Sequence, residues 1–236
     1  KYNLNRKNSN TNFYEFGKIY ESTIKHNKES RRLGILLSGN FVKKTWNSNN
    51  VKAEFYTLKN IVLNIFTRLS INVSEKVIDF ESFDSTLGIF NDNKRIAIVG
   101  RVSSKYKSIL GITQDVYYSS IDIDLLLYVL STKFNKYKTI SKFPSVNREL
   151  NFLFNNDTQY NEVEEFIFRN SKIKNLISIK LSDVYVDKKI PDGKKSYTLS
   201  FHLMDNEKTL TEKVIQSTMN KIQQTIENKF GATLRS

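Results

Sequence analysis

The chain has 236 residues, no cysteine and a formal net charge of +13. That length suits two domains, each able to bury its own core, and the missing cysteines exclude disulfides and thiolate metal sites and fit a reducing, cytoplasmic setting. No apolar run approaches the ~20 residues that span a bilayer, so the basic surplus points to nucleic acid before membrane. It is unevenly spread: residues 1–140 carry 22 Lys+Arg against 12 Asp+Glu, and residues 141–236 carry 15 against 12. The sequence opens at Lys1, without a methionine, inside what already reads as structured chain, so a fragment of a longer protein is expected.

In chain order, Asn12–Ser22 alternates aromatic and polar residues around Gly17, the pattern of a half-buried strand. Leu33–Ser38 is a nearly continuous apolar strand, followed by turn chemistry at Gly39-Asn40. Phe55, Leu58, Ile61, Val62, Ile65, Phe66 and Leu69 recur at three- and four-residue steps and predict an amphipathic helix. Short strands are expected near Lys76–Phe80, Leu87–Phe90 and Arg95–Val102, with Asp92-Asn93 turning between the last two. Val116–Asp122 reads as a strand and Leu125–Leu130 as the start of a helix. Strands joined by hairpins around one or two helices argue for an antiparallel α+β sheet. Neither a parallel βαβ rhythm nor a glycine-rich phosphate loop is present.

No catalytic set emerges from residues 1–140, and no metal site is expected. His26 and His202 are far apart and lack metal-ligand spacing, and His26 reads as a solvated loop residue. Asp122 and Asp124 stand at strand spacing between apolar neighbours, which suggests the edge of a sheet, with a metal or acid–base role as the alternative. Arg31, Arg32, Lys43 and Lys44 flank a strand and form either a solvated face or a phosphate contact. This part reads as scaffold.

The composition changes at Lys142–Glu149, where Pro144 pushes Phe143 into an extended conformation, so a second domain is expected over 141–236. Leu150–Asn155 alternates as a strand, and Val163, Phe166 and Ile167 give a short helix over Glu162–Lys172. Two strands then form a hairpin across Leu176–Leu203. Thr209-Leu-Thr-Glu212 fits a capping box opening a long helix, Gly231 fits its C-terminal glycine, and Ala232–Arg235 returns as a strand. The order βαββαβ is that of a ferredoxin-like sandwich, whose helices cover one sheet face and leave the other open, a geometry used by many RNA-binding modules.

Parity tests the hairpin. Tyr197, Leu199, Phe201 and Leu203 share one face, matched on the first strand by Ile177, Ile179 and Leu181. Core matching pairs Leu181 with Leu199 and Ile179 with Phe201, whereas the turn pairs Tyr185 with Ser196 and Asp183 with Thr198. The two registers differ by one residue, and a β-bulge near Ser182 reconciles them. It swings Asp183 and Tyr185 onto the open face beside Ser196, where the ring can stack on a base and the polar groups can read its edge. The alternative is that Tyr185 packs on the turn while Asp183 caps a backbone group in the bulge.

Several of these segments resemble one family. Phe143-Pro-Ser-Val-Asn-Arg148-Glu149, Asp183-Val-Tyr185, Ile190-Pro-Asp-Gly-Lys-Lys-Ser196 and Thr209-Leu-Thr look like the ferredoxin-fold anticodon-binding domain that ends the β subunit of bacterial phenylalanyl-tRNA synthetases. Phe16-Gly17-Lys18-Ile19-Tyr20, Glu54-Phe55-Tyr56-Thr57-Leu58-Lys59 and Ile121-Asp-Ile-Asp124 look like the same subunit's catalytic-like module. The resemblance implies a non-catalytic class II synthetase-like antiparallel sheet module over 1–140, followed by the anticodon-binding domain over 141–236. It implies no cofactor bound by this part, with ATP and Mg in the holoenzyme. As partners it implies the α subunit of an α2β2 heterotetramer and tRNA(Phe), contacted by Asp183, Tyr185 and Ser196. The class II ATP-binding signatures are missing. Glu149 stands where the family usually has aspartate, and Phe83-Asp-Ser-Thr-Leu-Gly replaces its usual His-Pro-Gly run. The competing functional reading is a protein-interaction scaffold carrying a ferredoxin-like domain.

Overall fold

The computed structural model describes residues 1–22, 27–132, 141–170, 173–187 and 190–235. Its contacts divide the chain into two units, Lys1–Lys136 and Tyr137–Ser236. His26 lies outside the described residues.

In the first unit a short helix α1 (Tyr2–Asn5) precedes the long hairpin of β1 (Thr11–Ser22) and β2 (Asn27–Ser38). A small hairpin of β3 (Asn40–Val42) and β4 (Val51–Lys52) leads into helix α2 (Phe55–Arg68). Then come β5 (Ser74–Val77), β6 (Phe83–Asn91), β7 (Lys94–Val102), α3 (Ser104–Ile109), β8 (Val116–Asp122) and α4 (Ile123–Ser131). Six strands form one antiparallel sheet in the order β1-β2-β8-β7-β6-β5. The four-residue repeat Leu58, Val62, Phe66 puts three fully buried side chains on one side of α2, where they join Ile89, Val99 and Ile121 of the sheet in a single core. Each such side chain contributes ~1.5–3 kcal/mol when removed from water.

Two expectations for this unit are corrected. β1 is not half-buried: only Thr11 is buried, and its remaining residues are exposed. Alternation reports that the two faces of a strand differ chemically, not that an element of the same chain covers either. Asp122 and Asp124 are not at a sheet edge, because β8 lies between β2 and β7. Asp122 ends β8 and caps α4, accepting from the Leu125 N–H at 2.9 Å, while its other oxygen meets Arg32 at 3.1 Å. Asp124 accepts from the Arg31 backbone N–H at 2.8 Å and from its guanidinium at 2.7 Å. Those bonds hold the Asp124 carboxyl below the usual carboxylate range. Both arginines of the expected basic group are therefore neutralised by aspartates.

The second unit runs β9 (Val146–Asn155), α5 (Tyr160–Asn170), β10 (Leu176–Tyr185), β11 (Lys194–Leu203), α6 (Glu212–Phe230) and β12 (Thr233–Leu234). This is the expected βαββαβ order, with the sheet arranged β10-β11-β9-β12. Phe152, Phe154, Tyr197, Leu199 and Phe201 of the sheet pack with Ile215, Met219, Ile222 and Ile226 of α6 and with Val163 and Ile167 of α5. Gly231 closes α6 in the left-handed region at φ 59°, where a Cβ would add strain.

The capping box does not form. Thr211, not Thr209, is the N-cap, and its side chain makes no cap bond. Leu210 is buried in the core, which holds the chain extended past Thr209, and Glu212 pairs with Arg148 at 3.1 Å instead of reaching back. β9 also starts four residues before the expected strand, so Asn147–Glu149 belong to the sheet.

Candidate RNA-binding face

β10 and β11 pair in two registers joined at one residue. Ile179 faces Phe201 and Leu181 faces Leu199, then Asp183 faces Thr198 and Tyr185 faces Ser196, with the shift between Leu181 and Asp183. The bulge expected at Ser182 is present. A second shift lies between Leu176 and Ser178, and it was not anticipated. It makes Leu176 the partner of Leu203 and turns Ile177 outward, 47% exposed, so Ile177 is not a core residue. The core-packed residues of β10 are thus Leu176, Ile179 and Leu181; Val184, although opposite Tyr197, is 48% exposed.

Beyond Ser182 the pairing alternates normally. Val184 shares the helix-covered side with Tyr197, and Asp183 and Tyr185 take the opposite side, which neither α5 nor α6 covers. Asp183 is exposed, and one of its carboxylate oxygens accepts from the Val184 N–H at 2.9 Å. That is the capping role given above as the alternative. A carboxylate has acceptor capacity beyond one such bond. Tyr185 is half-buried, and a hydrogen bond to Asp187 holds its hydroxyl above the usual phenol range. Ser196 is 3% exposed and forms the floor of this region, not its surface.

An arginine from beyond the last strand also reaches this face. Arg235 follows β12 and extends its ladder, its backbone N–H donating to the Asn151 carbonyl at 2.8 Å. Its guanidinium carbon lies 5.1 Å from the centroid of the Tyr185 ring. The order β10-β11-β9-β12 places two strands between these residues. At ~4.8 Å per strand their backbones stand about 14 Å apart. Side chains that meet across that distance lie over β11 and β9, and Ser196 is on β11 directly opposite Tyr185 and Leu153. Sequence parity does not reach Arg235, because a two-residue strand has no alternation to count. The face also carries polar pairs: Ser182 donates to Glu149 at 3.2 Å, and His202 Nδ1 meets Asn147 Oδ1 at 2.8 Å.

Asp122 and Asp124 do not suit a divalent cation or nucleotide site. Their oxygens are committed to two arginines and a helix N-terminus, and no group of three or more potential ligands gathers among the described residues. The first unit offers a different surface. Phe13, Tyr14, Phe16 and Tyr20 of β1 are each more than half exposed. A cavity of about 380 Å³ lies against Tyr14, Phe16, Leu33, Ile35, Ile61 and Ile65, between β1 and α2. Among the described residues no helix is long and apolar enough to cross a membrane.

Comparison with known proteins matches both units. Residues 141–235 match the ferredoxin-fold anticodon binding domain, and residues 1–123 match the phenylalanyl tRNA synthetase beta chain CLM domain. The phenylalanine–tRNA ligase beta subunit of Bacteroides fragilis is 34% identical over 99% of this chain and 30% of its own length. Those of Porphyromonas gingivalis and Clostridium acetobutylicum are 31% and 29% identical over 99% of the chain, covering 30% and 28% of their lengths. The chain thus spans just under a third of the curated relatives it matches. Among solved structures, a pyrrolysyl-tRNA synthetase from Desulfitobacterium hafniense superposes with a TM-score of 0.41 at 13% identity, covering 56% of this chain and 47% of that one.

Proposed function

This chain belongs to the phenylalanyl-tRNA synthetase beta-chain family, and from that premise we propose that it is the C-terminal part of a phenylalanine–tRNA ligase β subunit that binds the anticodon of tRNA(Phe). Residues 141–236 are the anticodon-binding domain, with Asp183, Tyr185 and Ser196 as its contacts. Residues 1–140 are a class II synthetase-like module without a catalytic site of its own, which supports the α subunit in aminoacylation. ATP and Mg act in the α subunit, the assembly is an α2β2 heterotetramer, and the site of action is the cytoplasm.

The observation that carries this reading is the bulge at Ser182. It takes an aromatic ring and a carboxylate from a strand whose neighbouring residues serve the core and puts both on a helix-free sheet face. A half-buried ring beside polar groups on such a face is the arrangement with which proteins stack an unpaired base and read its edge. The exposed aromatic strand β1 supports the partner assignment, since an apolar surface of this kind on a soluble unit marks a protein contact. The groups on β1 that accept such a contact are rings, which also dominate stable interfaces.

The test uses the full ligase. Competition of labelled tRNA(Phe) binding by the cognate anticodon stem-loop is followed at several salt concentrations, against a stem-loop with a scrambled anticodon. The cognate loop should compete better at every salt, above the salt-sensitive background that any protein of this charge gives. Equal competition by both loops would remove anticodon recognition and leave a protein-interaction scaffold as the better reading.

A further inference from the structure

We propose that Asn147 and His202 form a second base-reading subsite, at the far end of the open sheet face from Tyr185, which takes another unpaired base of the same RNA loop through one donor and one acceptor on its edge. This rests on the reading of that face as the anticodon site.

The strand registers lay the uncovered side of the sheet out in rows that cross β10, β11 and β9. Tyr185 and Ser196 open the first row, and Ser178, His202 and Asn147 make the last. The rows between set Asp183 and Glu149 against Lys180, so they carry little net charge. Along β11, six residue steps separate Ser196 from His202, ~20 Å at ~3.4 Å per residue. A base stacked on Tyr185 does not reach so far, and an open four-stranded sheet can take more than one base. What the last row binds is therefore a different nucleotide.

The last row is fixed for reading an edge. His202 Nδ1 lies 2.8 Å from Asn147 Oδ1. An amide oxygen only accepts, so Nδ1 carries the hydrogen and donates it. That one bond orients both side chains: the neutral ring is left with Nε2 as an acceptor, and the amide with its NH2 as a donor. Neither of these has a further partner among the described residues. Asn147 is exposed and His202 half-buried, between Phe201 and Leu203 of the core, which hold its backbone in place. The backbones of β9 and β11 are already paired on both sides of this row, so the side-chain bond is not needed to join them.

A donor beside an acceptor in fixed order distinguishes bases. On the pairing edge of adenine and cytosine an amino donor flanks a ring-nitrogen acceptor; on guanine and uracil a carbonyl acceptor flanks a ring N–H donor. Exchanging one purine for the other, or one pyrimidine for the other, inverts the pattern and sets like against like, and unmatched polar groups make that rejection strong.

The experiment uses the full ligase. Labelled tRNA(Phe) is competed by anticodon stem-loops in which each loop nucleotide in turn is replaced by the other purine or the other pyrimidine, for the native enzyme, Asn147→Asp, His202→Ala and Tyr185→Ala. The native enzyme should reject the substitution at the nucleotide in the last row by roughly 5- to 150-fold. Asn147→Asp keeps the acceptor for His202 and removes only the donor, so it tests the edge contact even if His202→Ala disturbs the strand. Both variants should bind the cognate loop less tightly and lose rejection at that one nucleotide, whereas Tyr185→Ala should weaken the cognate loop and keep it. Native rejection at every position in Asn147→Asp overturns the proposal, because the pair then only ties two strands together. Loss of the same rejection in Tyr185→Ala also overturns it, because the two ends then read a single nucleotide. If the native enzyme rejects no substitution, the anticodon reading fails as a whole; if it does, and only Tyr185→Ala weakens binding, the second subsite alone is excluded.

Discussion

Replacing Tyr185 by alanine in the full ligase removes the ring on the open face and leaves the core intact, since the residue stands opposite Ser196 and away from the buried aromatic cluster. Arg235 holds one side of that ring at 5.1 Å, so the side chain offers a single stack. One base–aromatic stack is worth ~1–3 kcal/mol, which raises the KM for tRNA(Phe) roughly 5- to 150-fold when binding precedes slow chemistry. Pyrophosphate exchange driven by phenylalanine and ATP should stay at the native rate, because the ring takes no part in amino-acid activation. Tyr185→Phe separates the ring from the hydroxyl. It keeps the stack and loses only the hydrogen bond to Asp187, so its KM should stay within about twofold of native. The reasoning is refuted if Tyr185→Ala aminoacylates with native kinetics, or if Tyr185→Phe is as impaired as the alanine.

Three further outcomes follow from the structure. Gly39→Ala should destabilise the first unit by roughly 2 kcal/mol or more, since φ is +80° there and a Cβ would overlap the Ser9 carbonyl; faster hydrogen exchange at the Ala53 amide, which donates to the Gly39 carbonyl, reads it. The Lys107 ammonium, 2.8 Å from Asp115, holds that carboxyl below its usual range, so its stabilisation is present above the unfolded carboxylate pKa and lost as pH falls through the lowered folded value. With Asp115 half-exposed this amounts to about 1 kcal/mol at most, and Asp115→Asn should abolish that part of the acid destabilisation measured by exchange in β8. Burial pushes the Tyr160 hydroxyl up, and it donates to the Ile179 carbonyl at 3.0 Å. Its contribution is complete below about pH 10 and lost as pH climbs towards the raised folded value, so Tyr160 should not ionise with the exposed tyrosines in an alkaline absorbance titration. Tyr160→Phe should cost about 1 kcal/mol by removing the hydroxyl's bond to that carbonyl.

Much of the fold is legible because its elements carry strong local signals. The stripe of α2, the alternation of β11 and the Gly231 stop each follow from one periodicity or one backbone requirement, and each appears where those signals put it. The failures share a cause: a tertiary contact outweighed the local pattern. Leu210 sinks into the core and drags the helix start past Thr209. Asp122 has the spacing of a strand residue and the duty of a helix cap. Ile177 fits the alternation of β10 and is displaced by Leu176, because an apolar residue one position earlier can reach the same core through an extra bulge. At the candidate site, parity locates the Ser182 bulge from two incompatible pairings. It is silent on Arg235, which follows a two-residue strand with no alternation to count yet brings its guanidinium to the Tyr185 ring.

Charge is the property that counting represents worst. The first unit has the larger surplus, yet Arg31 and Arg32 are tied to Asp124 and Asp122, and what remains at the exposed β3–β4 connection is lysine, at Lys43 and Lys44. A lysine ammonium is a hydrated point charge that attracts a polyanion without asking for its sequence. The hairpin face, by contrast, balances acids against bases and keeps its arginine on the tyrosine ring. Phosphate contacts position a nucleic acid, and base contacts specify it. A face with a large positive charge would hold any RNA loop equally well and drown the differences between bases. In the anticodon reading proposed above, near-neutrality around Asp183 and Tyr185 would keep the background low, so that one stack and a few polar contacts would decide which loop stays.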